Sequence, residues 1–402
     1  MLFQVNVHHG PELREIETAA VVQRELFGRA ISEYGDWDRD GTPDFVVSVP
    51  HREIGESKAV HRVFLVSGKG GSSLVAWSSS VNGFGEFVTA VPDVDGDGRP
   101  ELLIQNDVDR GWLVSGSGQS VIRELSFVRY GRGPGVWSIG DFDADGKPDL
   151  ARASKNGALV VERAVDGFEL MRWPGISPAD LASVSGPTAN AVHELLVVTA
   201  VRGELRLGIE LLTLGAGTPG IAVRRAVGES SHFGWPRLCA LHDEGTAGAR
   251  VVLGWPESGS GQGCVQVLRS SDLSLLSSFS PTSRASMFGA SVDAVGDLDA
   301  DGLCDFVVAS PPMNLFRDGG GAYVYLSASP NTPRIHRSPA IDADPYTSVA
   351  GVGDINGDGL GDYAMSDARF EGLGNLQGSV SVRSGRDGLE LLRLPDCWSG
   401  KR

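Results

Sequence analysis

Residues 35–44 read Gly35-Asp36-Trp37-Asp38-Arg39-Asp40-Gly41-Thr42-Pro43-Asp44, and Phe45-Val46-Val47-Ser48-Val49-Pro50 follows at once. Carboxylates stand at positions one, three, five and nine of a nine-residue loop: Asp36, Asp38, Asp40 and Asp44. The pattern returns as Asp93, Asp95, Asp97 and Glu101, as Asp141, Asp143, Asp145 and Asp149, and as Asp297, Asp299, Asp301 and Asp305. A last copy, Asp354, Asn356, Asp358 and Asp362, carries a neutral ligand at position three. Calcium takes six to eight hard oxygen ligands at about 2.3–2.6 Å. Alternate residues of a tight loop can turn their carboxylates inward, and glycine at position six permits the sharp turn. The backbone carbonyl of position seven (Thr42, Arg99, Lys147, Leu303, Leu360) adds a further oxygen, and position nine closes the site. Two carboxylates about 4 Å apart repel by on the order of 4 kcal/mol at an effective dielectric of 20, so four on one loop call for a cation. Up to five calcium ions are expected. An EF-hand is excluded, because its bidentate Glu at position twelve is replaced by Val47, Ile104, Arg152, Val308 and Met365.

The first residues of the loops lie at 36, 93, 141, 297 and 354, with steps of 57, 48, 156 and 57. The long step is three times 52, so two repeats lie between with decayed loops. The apolar runs Glu194–Ala200 and Arg250–Pro256 match the run after loop one and place the decayed loops at Gly186 and His242. Loop four, Gly186-Pro187-Thr188-Ala189-Asn190, has no carboxylate before Glu194 and should bind nothing. Loop five has His242, Glu244 and Thr246, then Arg250 at position nine, whose guanidinium is expected to replace the missing cation. Each repeat holds four apolar segments. The first opens with an aromatic and a glycine, as in Phe27-Gly28, Phe84-Gly85, Phe233-Gly234 and Phe288-Gly289, with Tyr130-Gly131 a weaker version.

Four short strands per unit, at a period near 50 residues, describe an all-β chain: a seven-bladed β-propeller of four-stranded antiparallel blades. The whole chain, 1–402, is expected to be this one domain, with blades starting near 27, 84, 130, 177, 233, 288 and 345. Residues 1–20 hold two further strand-like runs, Phe3–Val7 and Glu12–Glu17, expected to close the ring by adding outside the last blade.

Thirty-five basic against 51 acidic residues give a net charge of −16, which argues against nucleic acid and anionic membranes as partners. Five divalent cations would bring it to about −6. No run of about eighteen apolar residues occurs, so no membrane insertion is expected. The N-terminus has neither a basic n-region nor an apolar h-region. The four cysteines lack CxxC spacing, so zinc is not expected. They read as buried or free thiols, with Cys239–Cys264 the best pair for a bridge.

The Phe-Gly opening, the Asp-x-Asp-x-Asp-Gly-x-x-Asp loop and the apolar strand ending in Ser-Val-Pro or Ala-Ser-Pro resemble FG-GAP repeats. That repeat builds the integrin alpha-subunit N-terminal propeller and occurs in many bacterial surface proteins. The resemblance runs over roughly residues 20–395 and lacks a Phe-Gly opening in repeat seven. It implies that the metal loops lie on one face and that ligands dock on the other, where loops 51–61, 312–321 and 367–378 would lie. Phe316 and Arg317, and Arg369 and Phe370, are the candidate contact pairs, since aromatic and arginine side chains anchor interfaces. The implied function is a monomeric calcium-binding module, extracellular or at the cell surface, for a protein or carbohydrate ligand, as in adhesion. The export signal would lie outside this sequence.

No motif argues for an enzyme. There is no Gly-x-Ser-x-Gly elbow, His193-Glu194 lacks a second histidine, and Gly68-Lys69-Gly70-Gly71-Ser72-Ser73 has the wrong spacing for a phosphate loop. A calcium-dependent polysaccharide lyase or hydrolase, or a purely structural domain of a larger surface protein, are the alternatives.

Overall fold

A computed structural model describes residues 5–8, 26–50, 60–118, 120–130, 133–184, 194–202, 207–215, 221–230, 236–243, 249–256, 262–281, 287–311, 321–327, 334–337, 348–367 and 379–394. Every regular element among them is a strand. After the short β1 (Asn6–His8), the chain makes β2 (Ile31–Gly35), β3 (Asp44–Val49), β4 (His61–Val66) and β5 (Ser73–Ser79). It continues with β6 (Phe87–Val91), β7 (Glu101–Gln105), β8 (Arg110–Val114) and β9 (Val121–Ser126), then β10 (Val136–Gly140), β11 (Asp149–Ser154), β12 (Ala158–Arg163) and β13 (Glu169–Pro174). The two repeats with decayed loops follow as β14 (Pro178–Val184), β15 (Glu194–Arg202), β16 (Leu207–Gly215) and β17 (Ile221–Ser230), and as β18 (Arg237–Leu241), β19 (Arg250–Trp255), β20 (Cys264–Arg269) and β21 (Leu275–Phe279). The last two repeats are β22 (Ser291–Gly296), β23 (Asp305–Ser310), β24 (Gly321–Tyr325) and β25 (Arg334–Arg337), then β26 (Val349–Gly353), β27 (Asp362–Asp367), β28 (Ser379–Arg383) and β29 (Glu390–Leu394).

Consecutive strands pair antiparallel within each group of four. Among the described residues six sheets have four strands. This corrects the expectation of seven four-stranded blades, because the sheet of β2 to β5 takes a fifth strand: β1 pairs outside β5, with Val7 opposite Trp77. The N-terminal strand therefore widens the first sheet and does not extend the last one. An outer strand with fully buried Val75, Ala76 and Trp77 leaves an unpaired backbone edge, and β1 satisfies part of it. Residues 12–17 lie outside the described residues.

Among the described side chains, the second and third strands are mostly buried on both faces. Phe45, Val46, Val47, Val63, Leu65 and Val66 are all fully buried, as are Leu102, Leu103 and Ile104. A four-stranded sheet cannot cover both its own faces, so each packs on its neighbours. The first strands stand side by side in the order β2, β6, β10, β14, β18, β22, β26 and return to β2. One core cluster accordingly joins Phe27, Phe45 and Phe64 from the first sheet to Ala350, Ala364 and Val380 from the last.

The Phe-Gly openings serve this packing. Phe84 and Phe288 are fully buried, and Phe27 nearly so. Their glycines turn through positive φ (Gly28 +80°, Gly85 +84°, Gly289 +91°) hard against the preceding blade. A Cβ at Gly28 would stand 2.7 Å from Ser366 and Val380 of the last sheet, and one at Gly289 would stand 3.0 Å from Gly254. Phe233-Gly234 lies outside the described residues.

Cys239, Cys264 and Cys304 form no disulfide, in keeping with their reading as thiols, and Cys239–Cys264, the best pair for a bridge, is not joined. Cys239 lies on β18 and Cys264 on β20, with β19 between them. Two strand spacings are about 9–10 Å, beyond the roughly 7 Å a disulfide spans.

Candidate metal loops

Each acidic loop connects the first two strands of its blade. In four of the five, the first strand ends in a glycine at positive φ beside a register shift: Gly35, Gly140, Gly296 and Gly353. Each of these glycines pairs with the position-nine Asp across the hairpin, at Asp44, Asp149, Asp305 and Asp362. Such a bulge re-aims the strand end and turns position one into the loop. Loop two has no bulge. Pro92 precedes Asp93, Val91 pairs with position nine across a loop one residue longer, and position nine is the longer side chain Glu101.

Within the loops the carboxylates first bind their own backbone. In loop one Asp36 accepts the N–H groups of Asp40 (3.0 Å) and Gly41 (2.9 Å), and Asp40 accepts that of Thr42 (2.9 Å). Loop three repeats this: Asp141 accepts from Asp145 (3.0 Å) and Gly146 (2.8 Å). In loop seven Asp354 accepts from Asp358 (3.0 Å) and Gly359 (2.7 Å), and Asn356 fills the role of the missing Asp toward the N–H of Asp358 (2.9 Å). Position six is at positive φ in every loop, at Gly41, Gly98, Gly146, Gly302 and Gly359, as its glycine required.

Position four is equally left-handed, which the spacing of the carboxylates did not reveal. It is Gly96 and Gly357 in two loops but Arg39 (φ +63°), Ala144 (+61°) and Ala300 (+61°) in the others. That region costs an L residue about 1–2 kcal/mol, while glycine brings an entropic penalty of about 0.5–1 kcal/mol. Ala144→Gly should therefore stabilise the protein by about 0.5 kcal/mol or more, seen as a higher melting temperature with and without calcium. A lower one would show that position four is unstrained.

The position-nine carboxylates are fully buried. Each accepts the N–H of position two: Trp37 (2.8 Å), Val94 (2.6 Å), Phe142 (2.8 Å), Leu298 (2.8 Å) and Ile355 (2.9 Å). In three blades the other oxygen accepts an N–H from the turn between the third and fourth strands: Gly68 to Asp44 (3.1 Å), Ser327 to Asp305 (2.7 Å) and Gly385 to Asp362 (3.0 Å). Burial pushes these carboxyls up, to about 6 at Asp44, Asp149, Asp305 and Asp362 and about 7 at Glu101, against the pull of the backbone donors. The folded state thus holds protons more tightly than the unfolded chain, whose carboxyls titrate near 4. Between about pH 4 and pH 7 these five groups make the metal-free fold less stable as pH rises. A cation must displace those protons. The gain in melting temperature from added calcium should therefore shrink as pH falls from 7.5 to 5, and an equal gain at both values would contradict it.

The same loops fasten neighbouring blades. Trp37 Nε1 donates to Gly116 O of the second blade (2.7 Å), Arg99 lies 4.6 Å over the Trp37 ring, and Tyr34 Oη donates to Pro100 O. Position two of loops six and seven packs likewise: a Cβ at Gly385 would meet Leu298 at 2.7 Å, and one at Gly68 would meet Ile355 at 2.8 Å. These turn glycines also seat the position-eight carbonyls, which would lie 2.0–2.1 Å from a Cβ at Gly68, Gly116 or Gly385.

Donor oxygens of Asp93, Asp95, Asp97 and Glu101 lie within 4.8 Å of one another. So do those of Asp36, Asp38 and Asp40, of Asp141, Asp143 and Asp149, and of Asp297, Asp299 and Asp305. Glu101 Oε1 and Asp149 Oδ1 are buried without a hydrogen-bond partner. Buried carboxylate oxygens of this kind, among clustered hard donors, fit a divalent cation. Basic side chains lean over several loops: Arg163 lies 3.4 Å from Asp143 and 3.5 Å from Asp145, Arg386 3.1 Å from Asp358, and Lys69 3.7 Å from Asp40. They are well exposed, so each contributes little. Alternation along the chain could not reveal them, because they come from the end of the third strand or the turn after it.

In blade five Arg250 grips Asp243, at position two of the decayed loop, through Nε (2.6 Å) and Nη2 (2.5 Å), and also donates to Cys304 O (2.9 Å). Asp243 accepts the N–H of Cys304 (2.8 Å), so the pair bridges blades five and six. Glu244 and Thr246, all of loop four, and Phe316, Arg317, Arg369 and Phe370 lie outside the described residues. Away from the loops, Asp180 is buried and Asp293 half-buried on the first strands. Asp180 accepts from Trp137 Nε1 and Leu238 N (both 3.0 Å), and Asp293 from Gly351 N (3.0 Å). They tie adjacent first strands together, and no feature of the repeat had singled them out.

No family model matches the chain. Among characterised proteins it is 32% identical over 169 residues to integrin alpha-5 of Xenopus laevis, covering 40% of this chain and 16% of that protein. It is 30% identical over 196 residues to human integrin alpha-8, covering 45% of this chain and 18% of the relative. The matched region is thus less than a fifth of these relatives' length. Among solved structures the Dos1 propeller aligns over 93% of this chain and 85% of its own, with a TM-score of 0.51 at 11% identity, a likeness of fold alone. By its repeats, its blades and these alignments, the chain is an all-β propeller that over its matched region is similar to integrin alpha chains.

Proposed function

We propose that the five acidic loops bind calcium and that the propeller is an extracellular or cell-surface interaction module for a protein or carbohydrate ligand, not an enzyme. The observation that carries the calcium reading is the repeated donor cluster closed by a buried position-nine carboxylate. The similarity to integrin alpha chains supports the adhesion-type role and a place outside the cell. In this reading the ions hold the blades in register and the opposite face is left for the ligand, with Phe316, Arg317, Arg369 and Phe370 as its first candidates. The five-stranded sheet serves as the remaining blade of the ring, and the module works as a monomer. Among the described residues no helix is long and apolar enough to cross a membrane.

The test is a binding screen of matrix proteins and a glycan array against the full chain, with calcium and with EDTA. Calcium-dependent capture of a defined ligand supports the module. Release of unsaturated sugars, followed by ultraviolet absorbance, would replace it with a lyase. Equal silence in both screens would favour a purely structural domain.

A further inference from the structure

The five loops divide into two kinds by what holds position nine. In loops one, six and seven both oxygens of Asp44, Asp305 and Asp362 accept backbone N–H groups, one from position two and one from Gly68, Ser327 or Gly385. In loops two and three only one oxygen is so held. Glu101 Oε2 accepts from Val94 (2.6 Å) and Asp149 Oδ2 from Phe142 (2.8 Å), while Glu101 Oε1 and Asp149 Oδ1 are buried with no partner. Both residues are fully buried, and both belong to the clusters of donor oxygens with Asp93, Asp95 and Asp97 and with Asp141 and Asp143.

Local structure explains the split. In blade three the turn residue is Ala164, and its N–H goes to Pro148 O (3.4 Å) and not to the carboxylate. In blade two the bulge is missing and Glu101 starts from a regular pair with Val91, so its longer side chain ends where no N–H of the turn reaches Oε1. A buried charged acceptor without a partner is unfavourable, and whatever supplies the partner recovers that loss. In the other three loops the backbone has already supplied it.

We infer that loops two and three form a tight class of calcium site, filled first, and that loops one, six and seven form a weaker class. The inference rests on the calcium reading above and adds to it an order set by the turn after the third strand. The tight class is expected to bind at least tenfold more strongly, about 1.4 kcal/mol.

Isothermal titration of the EDTA-stripped, dialysed full chain with calcium chloride tests it. Two tight equivalents followed by weaker ones are expected. Asp95→Asn and Asp143→Asn alter exposed ligands without touching the buried carboxylates, and each should remove one tight equivalent. Asp38→Asn and Asp299→Asn should leave both tight equivalents in place. A single class of sites, or loss of a tight equivalent in Asp38→Asn or Asp299→Asn, would overturn the order while leaving calcium binding intact. No binding heat and no calcium retained on equilibrium dialysis would overturn both.

Discussion

Stripping calcium with EDTA lowers the melting temperature of this protein by on the order of ten degrees, if the loops are occupied as proposed. One site at a hundredfold excess of free ion over its dissociation constant adds about 2.7 kcal/mol to stability, so several sites add up to more than most single side chains can. The reason lies in where the loops sit. Asp44 is held by the N–H groups of Trp37 and Gly68, and Trp37 reaches into the second blade through Gly116. A loop that splays under the mutual repulsion of Asp36, Asp38 and Asp40 therefore loosens both its own hairpin and the junction with its neighbour. Thermal unfolding followed by circular dichroism, in EDTA and after calcium is restored, measures this. Superimposable curves would end the structural role for the ion, and magnesium tried at the same concentration would show whether the site selects for the larger cation.

The second large effect concerns the loop that carries its own cation. Arg250→Ala should destabilise the protein by about 3–5 kcal/mol, because it leaves a buried carboxylate without its partner. The Asp243 side chain is only 1% exposed, and besides Arg250 it accepts the N–H of Cys304. Arg250 is itself only 13% exposed, so solvent screening relieves little. Pairing Arg250→Leu with Asp243→Asn should recover much of the loss, since neither charge is then stranded. The effect should be the same in calcium and in EDTA, which separates this clip from the acidic loops. A loss that vanished when calcium was added would mean that blade five binds an ion after all.

Much of the architecture was legible because the loop repeats. The spacing of Asp36, Asp93, Asp141, Asp297 and Asp354 set the period. The apolar runs at 194 and 250 then located β15 and β19 where the loops had decayed. Arg250 could be assigned a role because it stands at position nine, although its partner proved to be Asp243, a residue between the alternating positions. What was hidden depends on contacts across blades or on backbone dihedrals. Arg163 and Arg386 reach their loops from the next hairpin, so no local pattern announces them. Ala144 and Ala300 take a left-handed conformation with nothing in their side chains to mark it. Cys239 and Cys264 share a repeat, but the intervening β19 keeps them apart. The edge chosen by β1 was also hidden, since the outer strands of the first and last sheets carry similar apolar sequences, Ser73–Trp77 and Leu389–Leu394.

That edge has a mechanical meaning. Because β1 joins β5, among the described residues no N-terminal strand enters the sheet of β26 to β29, and each sheet is one unbroken piece of chain. Among the described residues the junction of first and last sheets is made by side-chain packing, with Phe27 among Ala350, Ala364 and Val380, and Ile355 over Gly68. The circle is thus a clasp and not a weave. Tension applied between the two ends would act across an apolar contact and not along a shared ladder of hydrogen bonds, so the clasp would part there as a unit and could snap shut again without any strand having to be rethreaded.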